Sequence, residues 1–488
     1  MKKISKSIIL TAFLLVCLLL FILYFMPTRY VFLAFGIAIA ATTYFLIVAI
    51  TQPKRIKPGD LKPWQRFTTL STLFLVLPFI FGAFLFYYKV LSLELIVLMM
   101  GLTFTFFYNF LTIPLAVWHK SQESKVVSQP DSYPPVSIIV PAYNEEKCLE
   151  RTIETLIEID YPDKEIIVVD DGSTDRTYEI AQSYRDQGVN VFHRPNGGKA
   201  AALNYGLLFA RREIIVTVDA DSLIGRTAIK EVVKGFHDPE VGAVCGNIKV
   251  LNRNNLLTQC QALEYIISIN LVRRAFDIFG TVTVVPGALG AFRRETLADG
   301  GFYDWDTLVE DFDVTVKTLK AKKIIQASSD ALAYTEAPQT LGDLIKQRLR
   351  WYRGNYQTIL KHRDIFLNPR FDFLYKLAAP FMWFSMIFIP FAGIAVIISV
   401  VTVIWARNWG ELLYAFSLFV SLQFLLSVLT IQLDDEDMRL LLYSPFFVVG
   451  YKHLMDWIMI KSLFDILLKR KVTWTRAKRI GTSPKDKD

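Results

Sequence analysis

The stretches VSIIVP (residues 136–141) and EIIVVDDG (residues 165–172) decide the fold of the central part of this 488-residue chain. Each is a short apolar run, rich in β-branched residues, that closes at a proline or a glycine, which is typical of a buried parallel strand. Helical spacing follows over Glu145–Ile159 and over Thr174–Gln187. Strands that alternate with helices in this way predict βαβ units and a parallel sheet.

The same alternation continues along the chain. Val189–His193 and Ile214–Val218 read as strands, and Lys199–Ala210 between them reads as a helix. We therefore expect an α/β domain with a mainly parallel sheet and helices on both faces. Ligands of such sheets bind beyond the carboxyl ends of the strands. Four acidic residues fall at these ends: Asp170, Asp171, Asp219 and Asp221.

The apolar residues are unevenly distributed. Hydrophobic residues make up 53% of the chain and charged residues 20%, and the apolar runs gather before residue 118 and after Phe373. A run of about 20 apolar residues spans a bilayer as a helix. We predict that Pro380 and Pro390 divide the run that starts at Phe373 into an interfacial piece and a span, or into two short spans. The four spans predicted before the central domain are Ile8–Met26, Tyr30–Ile50, Thr68–Tyr88 and Leu95–Trp118.

The basic residues indicate the orientation in the membrane. The net charge is +8, and much of the excess lies beside apolar runs, at residues 54–66 and 469–479. This placement predicts a multi-pass protein of the cytoplasmic membrane whose central domain faces the cytoplasm, in contact with membrane lipids. Nucleic acid is not an expected partner, because the central part has no basic stripe interleaved with aromatic residues.

Five segments follow from composition and motifs. We expect four transmembrane helices over 1–120, the central cytoplasmic domain over 131–340, and an interfacial helix region over 341–370. Transmembrane or interfacial helices over 373–468 and a basic cytoplasmic tail over 469–488 complete the chain.

Two acidic motifs follow predicted strands. In VTVDADS (residues 216–222), one residue separates Asp219 from Asp221. Two carboxylates at this spacing suit a hard cation such as Mg²⁺ or Mn²⁺, which takes oxygen ligands. Asp170 and Asp171 precede a glycine turn and suit hydrogen bonds to a nucleobase or a ribose. Each pair alone also suits an ordinary turn that caps the next helix.

Three further motifs carry reactive or charged side chains. Asp311 in VEDFD (309–313) suits a general base or, equally, the acidic first turn of a helix. In QRLRWYRG (347–354), Arg350 suits a diphosphate and Trp351 a sugar ring, although a cationic helix at a membrane surface has the same composition. In NGGK (196–199), Lys199 and the backbone amides suit a phosphate, or the segment is an ordinary glycine turn.

In their order and spacing these motifs resemble the processive family 2 glycosyltransferases, which include the cellulose, chitin, hyaluronan and poly-N-acetylglucosamine synthases. The resemblance extends from Tyr133 to about Leu360. It implies a GT-A glycosyltransferase domain inserted between transmembrane helical segments. The motifs that carry it are SIIVPAYNE (137–145), DDGS (170–173), GK (198–199), DAD (219–221), ED (310–311) and QRLRW (347–351).

The resemblance also implies a role for individual residues. Asp311 matches the catalytic base that deprotonates the acceptor hydroxyl, and Asp219 with Asp221 matches the metal site, which takes Mg²⁺ or Mn²⁺. The positions implied in acceptor binding are Gly287, Ala288, Gln347 and Trp351. The positions implied in donor binding are Ala142, Tyr143, Glu145, Asp170, Asp171, Lys199, Asp219 and Arg350.

From these roles we expect an inverting enzyme that transfers a sugar from a nucleotide-diphosphate donor, such as UDP-N-acetylglucosamine, to a growing β-linked polysaccharide. Glucose, N-acetylglucosamine and mannose stay open as the donor sugar. The expected partners are the donor, a glycan or lipid-linked acceptor, membrane lipids and an accessory export or regulatory subunit. Two alternatives stay open: transfer of a single sugar to polyprenyl phosphate or diacylglycerol, and a transporter with a nucleotide-binding regulatory domain.

Overall fold

The computed structural model describes residues 112–120, 133–407, 423, 426–470 and 481. The apolar runs predicted before residue 112, and residues 408–422, 424 and 425 of the apolar region after Phe373, lie outside the described residues. The chain divides into two compact units. Of the described residues, the α/β unit comprises 133–265, 280–363, 462–470 and 481, and the helical unit comprises 112–120, 266–279, 364–407, 423 and 426–461.

The regular elements are labelled in chain order. The strands are β1 (Val136–Ala142), β2 (Lys164–Asp170), β3 (Val189–His193), β4 (Ile214–Thr217), β5 (Ser222–Ile224), β6 (Val241–Val250), β7 (Gly290–Arg293) and β8 (Ile324–Thr335). The α-helices are α1 (Leu149–Ile157), α2 (Thr177–Gln182), α3 (Lys199–Phe209), α4 (Ala228–Val233), α5 (Leu256–Glu264), α6 (Leu271–Asp277), α7 (Arg294–Asp299), α8 (Glu310–Lys320), α9 (Leu341–Lys361), α10 (Ala379–Trp383), α11 (Ile389–Trp405), α12 (Ser444–Phe446) and α13 (Lys452–Leu467).

The α/β unit is built on one sheet of eight strands in the order β3-β2-β1-β4-β7-β6-β8-β5. β1 pairs in parallel with β2 and β4, and β2 pairs in parallel with β3. β7 runs antiparallel between β4 and β6, after which β6 and β8 are again parallel and β5 closes the edge antiparallel to β8. The predicted α/β fold with a mainly parallel sheet is confirmed, and the reversal at β7 is an addition to it.

The register of the parallel strands brings the predicted ligand-binding residues to one edge. Ala142 lies opposite Asp170, and Asp170 lies opposite His193, so β1, β2 and β3 end together. β1 is buried along its whole length, as expected of a strand with neighbours on both sides. The loops that follow these strands therefore start next to one another, which is why residues distant in sequence can share a site.

Close packing holds α3 against this sheet. A Cβ at Gly206 would lie 2.6 Å from Ile139 Cγ2 and 3.2 Å from Val169 Cγ2, which are side chains of β1 and β2. Glycine is needed here because β-branched strand residues fill the space that a methyl group would take. The same packing positions Lys199 at the first residue of α3.

In the helical unit, residues 112–120 are helical, and an apolar cluster formed by Ile113, Ala116, Leu271, Leu429 and Leu433 is accompanied by a buried ion pair. Arg274 Nη2 donates to Asp434 Oδ1 over 2.8 Å, and Asn270 Nδ2 donates to the second oxygen of the same carboxylate over 3.2 Å. These donors satisfy the buried carboxylate in place of water.

One helix among the described residues, Leu374–Trp405, is long and apolar enough to cross a membrane. It runs through Pro380 and Pro390, in place of the predicted interruption. Each proline lies two residues after the end of a wide turn, Leu374–Ala378 or Phe384–Phe388, with hydrogen bonds to the fifth preceding residue. Such π turns re-pair the carbonyls around a missing proline N–H. Residues 438–467 contain the helices α12 and α13, of 3 and 16 residues, both shorter than the roughly 20 apolar residues that a bilayer span needs.

We predict that Gly206→Ala destabilises the protein by about 1–3 kcal/mol, because the methyl group overpacks the contact between α3 and the sheet. Thermal unfolding of the purified chain in detergent measures this. The matched control is Gly342→Ala in α9, where a Cβ meets nothing within 4 Å. An unchanged melting temperature for Gly206→Ala would contradict the packing described here.

Candidate active site

Polar contacts join the loops that follow β1 and β2. The Asn144 N–H donates to Ser173 Oγ over 2.9 Å, the Thr174 N–H donates to Asn144 Oδ1 over 2.7 Å, and the Glu145 N–H donates to Thr177 Oγ1 over 2.7 Å. Asn144 has a φ of 54°, a left-handed conformation that asparagine tolerates. These contacts fix the segment of Tyr143 and Glu145, two of the predicted donor-binding residues, at the edge of the sheet.

Asp171 organises the loop before α3. Its two oxygens accept hydrogen bonds from the backbone N–H groups of Gly197 and Gly198, at 3.1 and 2.7 Å, and from Arg194 Nη1 at 2.9 Å. Burial raises the pKa of Asp171, and the two glycine N–H groups and Arg194 oppose that rise. Asp171 thus shapes the NGGK segment and, through it, the start of the helix that carries Lys199.

Asp170 is fully buried beside Asp171. Its Oδ2 lies 2.6 Å from His193 Nδ1 and accepts the Ser173 N–H over 3.3 Å. Asp170 Oδ1 is buried without a hydrogen-bond partner. A buried carboxylate oxygen of this kind is costly to leave unpaired, so this position suits a donor group from a ligand.

Lys199 lies between two acidic residues from different parts of the chain. Its Nζ is 2.6 Å from Asp219 Oδ1 and 2.8 Å from Glu310 Oε1. Burial alone would lower the pKa of Lys199, but the carboxylates of Asp219, Glu310 and Asp311 raise it well above its ordinary value. The amine is therefore a fixed positive charge among three carboxyl groups.

Gly287 allows this arrangement to form. A Cβ at residue 287 would lie 2.5 Å from Lys199 Nζ and 2.9 Å from Asp219 Oδ1. Any side chain there would displace either the amine or the carboxylate. The neighbouring Ala288 is buried.

Asp311 lies in the same pocket, at the second residue of α8. Its Oδ1 accepts the Phe312 N–H over 2.8 Å. Burial raises the pKa of the Asp311 carboxyl to about 6, the adjacent Glu310 carboxylate adds to the rise, and the Lys199 ammonium opposes it. The pocket is lined by Pro141, Lys199, Leu203, Thr217, Asp219, Val285, Gly287, Phe292, Tyr303, Glu310, Asp311 and Val314.

The predicted residues of the QRLRW segment lie on α9 and do not line this pocket. Gln347 is buried, and Arg350 and Trp351 are partly exposed. Ala142, Tyr143, Asp170, Asp171 and Asp221 also lie outside its lining. The structure thus brings together Lys199, Asp219, Gly287 and Asp311 of the predicted set.

A second group of acidic residues lies beside α8. Asp304, Asp306 and Asp313 are close enough to one another to hold a metal ion. Lys361 Nζ already lies among them, at 2.6, 2.7 and 3.0 Å from their oxygens, and His362 Nε2 is 2.9 Å from Asp313 Oδ1. An ammonium group therefore takes the place that a cation would occupy, so this group ties the end of α9 to α8.

Sequence reasoning missed Glu310 and Tyr303 as parts of the pocket. Glu310 lies directly before the predicted base, and its pairing with Lys199 links segments 111 residues apart in sequence, which no local pattern reports. Tyr303 is buried against the pocket because Asn204 of α3 exchanges two hydrogen bonds with its backbone, at 2.8 and 3.0 Å. Only the tertiary structure shows this contact.

Comparison with known families identifies the class of this domain. Residues 137–301 match the family model described as Glycosyl transferase family 2. Together with the GT-A-like sheet and the pocket at its carboxyl edge, the match shows that the chain carries a family 2 glycosyltransferase domain.

The chain is also similar in sequence to individual curated proteins. The chain is 32% identical over 234 residues to poly-beta-1,6-N-acetyl-D-glucosamine synthase of Staphylococcus aureus (strain COL), which is 47% of this chain and 56% of the relative. The Staphylococcus epidermidis synthase of the same name is 32% identical over 229 residues, 46% of this chain and 56% of the relative. The aligned region thus spans only about half the length of these curated relatives.

A solved structure shares the fold. The mannosyltransferase PcManGT from Pyrobaculum calidifontis, in complex with GDP-Man and Mn²⁺, superposes with a TM-score of 0.55 at 23% identity, covering 77% of this chain and 100% of that one. The predicted resemblance to the family 2 glycosyltransferases is confirmed for residues 137–301, and so is the GT-A-like α/β fold.

We predict that Asp311→Asn stabilises the folded protein above neutral pH in buffer that contains EDTA. The pKa of Asp311 is raised from 3.8 to about 6, so its ionised form destabilises the folded state, fully above pH 6 and not at all well below 3.8. The gain in melting temperature of Asp311→Asn over the wild type should therefore shrink as the pH falls from 7.5 to 4.5. A variant that melts lower than the wild type at pH 7.5 would contradict this account.

Proposed function

We propose that this protein is an inverting glycosyltransferase that transfers a sugar from a nucleotide-diphosphate donor to a growing β-linked polysaccharide at the cytoplasmic face of a membrane. Its similarity to the staphylococcal poly-beta-1,6-N-acetyl-D-glucosamine synthases favours UDP-N-acetylglucosamine as the donor. The observation that carries the proposal is the pocket in which Asp311 faces Lys199, Asp219 and Glu310 within a family 2 domain.

Asp311 is the proposed general base. A carboxyl group with a pKa of about 6 is ionised at neutral pH yet basic enough to accept a proton from a sugar hydroxyl as that hydroxyl attacks. The acceptor oxygen forms its bond to the anomeric carbon while the bond from that carbon to the diphosphate breaks. This single displacement inverts the configuration, so an α-linked donor gives a β-linked product.

Lys199 and Arg350 are proposed to bind the donor diphosphate. Lys199 is a fixed cation in the pocket, and on departure of the diphosphate it can exchange its contacts with Asp219 and Glu310 for phosphate oxygens. Ala142, Tyr143, Glu145, Asp170 and Asp171 are proposed to surround the nucleoside. The unpaired Asp170 Oδ1 supports this assignment, since it offers an acceptor for an N–H group of the base.

The acidic residues after β4 fit a divalent ion. Asp219 and Asp221 follow one strand on alternate positions and offer carboxylate oxygens, the ligands that Mg²⁺ and Mn²⁺ take. We propose that Asp219 and Asp221 hold Mg²⁺ or Mn²⁺, which when bound neutralises the charge of the leaving diphosphate. The Mn²⁺ in the structure of PcManGT supports a divalent ion without deciding which one.

The acceptor side is proposed to involve Gly287, Ala288, Gln347 and Trp351. Because residue 287 has no side chain, a sugar ring could approach the pocket there. The indole of Trp351 offers a flat apolar surface to a sugar. The apolar helix Leu374–Trp405 supports membrane attachment. That the chain crosses the membrane several times is part of the proposal. Membrane lipids and an accessory export or regulatory subunit are part of the proposal, as are the domain boundaries given above.

The test is an activity assay with the full chain in detergent. Incubation with UDP-N-acetylglucosamine, UDP-glucose or GDP-mannose, with Mg²⁺ or Mn²⁺, is followed by measurement of nucleotide diphosphate release and product size. We expect release with UDP-N-acetylglucosamine and a product of high mass that a β-specific hexosaminidase degrades. A lipid carrying a single sugar as the product would favour the lipid-transfer alternative over a polymerase. No release of nucleotide diphosphate from any donor would contradict glycosyltransfer.

We predict that Asp311→Asn lowers the turnover number roughly 10²–10⁴-fold, because the base is lost. The affinity for UDP, the nucleotide part of the donor, should stay within about threefold of the wild type when measured by calorimetry. Asp299→Asn, which removes an exposed acid of α7, is the matched control and should keep full activity. A turnover number unchanged in Asp311→Asn would show that another group takes the proton.

A further inference from the structure

Arg348 is the largest side chain that is fully buried in the described part of the chain. Burial of a guanidinium group is expensive unless charged and polar partners satisfy it. The residue lies on α9, directly after Gln347 and three residues before Trp351, both proposed to bind the acceptor. Because Arg348 is shielded from solvent, any role it has must act through the residues that it contacts.

Arg348 contacts both of these acceptor-binding residues. Its Nη1 donates to Gln347 Oε1 over 2.7 Å, and its guanidinium carbon lies 4.1 Å from the centre of the Trp351 ring. Adjacent residues of a helix do not ordinarily face each other, so the contact to Gln347 needs a guanidinium that is held in place from outside the helix.

Glu264, the last residue of α5, provides that hold. Its Oε2 accepts a hydrogen bond from Arg348 Nη2 over 2.6 Å, and both side chains are largely shielded from water. An ion pair in this surrounding is strong and directional. The carboxylate therefore sets the plane of the guanidinium, and the guanidinium sets the positions of the amide and of the indole.

Arginine is chemically suited to this task. One nitrogen of its planar fork binds Glu264, a second binds Gln347, and the face of the group stacks on Trp351. A lysine ammonium could pair with the carboxylate but has no face to stack on a ring and no fixed fork. A substitution of Arg348 by lysine therefore keeps the positive charge but loses the contacts that depend on the planar guanidinium.

We propose that the Glu264–Arg348 pair positions Gln347 and Trp351 to bind the acceptor sugar, without itself touching a substrate. The inference rests on the proposed function, because it takes Trp351 as the acceptor-binding surface. A positioning role predicts that changes at Arg348 alter acceptor binding more than donor binding. A merely structural role predicts a loss of folded protein with no preference between the two substrates.

The first experiment measures steady-state kinetics of Arg348→Lys with UDP-N-acetylglucosamine and a β-1,6-linked N-acetylglucosamine oligosaccharide as the acceptor. We expect the KM for the oligosaccharide to rise about tenfold, in line with the loss of a buried cation–π contact. The rise in the donor KM should be several-fold smaller. Equal rises in both values, or no rise in either, would overturn the proposal.

The matched control is Arg353→Lys on the same helix. Arg353 Nε donates to Asp465 Oδ2 over 3.1 Å, so this residue forms an ion pair that leaves Gln347 and Trp351 untouched. The acceptor KM of Arg353→Lys should stay within about twofold of the wild type. A rise like that of Arg348→Lys would mean that any disturbance of α9 gives the effect, which would overturn the proposal.

A second variant guards against failure to fold. Arg348→Met alone removes the ion-pair partner of the buried Glu264 carboxylate, whereas Glu264→Gln with Arg348→Met removes both charges. We expect the double variant to fold and to show a raised acceptor KM. When Trp351→Phe is combined with it, the changes in acceptor KM should be non-additive. Additive effects would overturn the proposal, whereas a wild-type protein that releases no UDP would count against the proposed function itself.

Discussion

The Lys199 ammonium is the contact on which the candidate active site depends. It lies between Asp219, which follows β4, and Glu310, which begins α8, and Asp311 is next to the latter. Without a cation at this place, three carboxyl groups would face one another in a buried pocket, and their repulsion would drive them apart or protonate them. The strand edge and α8 can therefore meet only because α3 begins with a lysine.

Two features of the chain deliver that lysine to its place. Asp171 accepts the backbone N–H groups of Gly197 and Gly198, which fixes the loop just before α3. Gly206 lets the helix pack against β1 and β2 without a gap. The acid in the DDGS motif thus serves the site by shaping backbone, in addition to any contact with the donor.

Much of the parallel half of the sheet could be predicted, because its strands are uninterrupted apolar runs that end in recognisable turns. Val189–His193 agrees with β3 at both ends, and β1 and β2 differ from their predicted ranges by one or two residues. β8 was not predicted, since Gln326, Ser328 and Asp330 break its apolar pattern. The predicted helix over Glu145–Ile159 begins only at Leu149, because Asn144 and Glu145 make loop contacts that oppose a helical turn. Arg348 was read only as part of a motif, because burial of an arginine depends on a partner 84 residues away.

The long helix α9 has a consequence for how events at one substrate reach the other. It has 21 residues and so extends about 30 Å. Arg348, the eighth residue of the helix, is paired with Glu264, and Lys361, the last residue, is paired with Asp313, two residues beyond the proposed base. Between these two contacts α9 is continuous. On the proposed function, an acceptor sugar that displaces Trp351 would therefore also displace Lys361 and, through Asp313, the helix that carries Asp311.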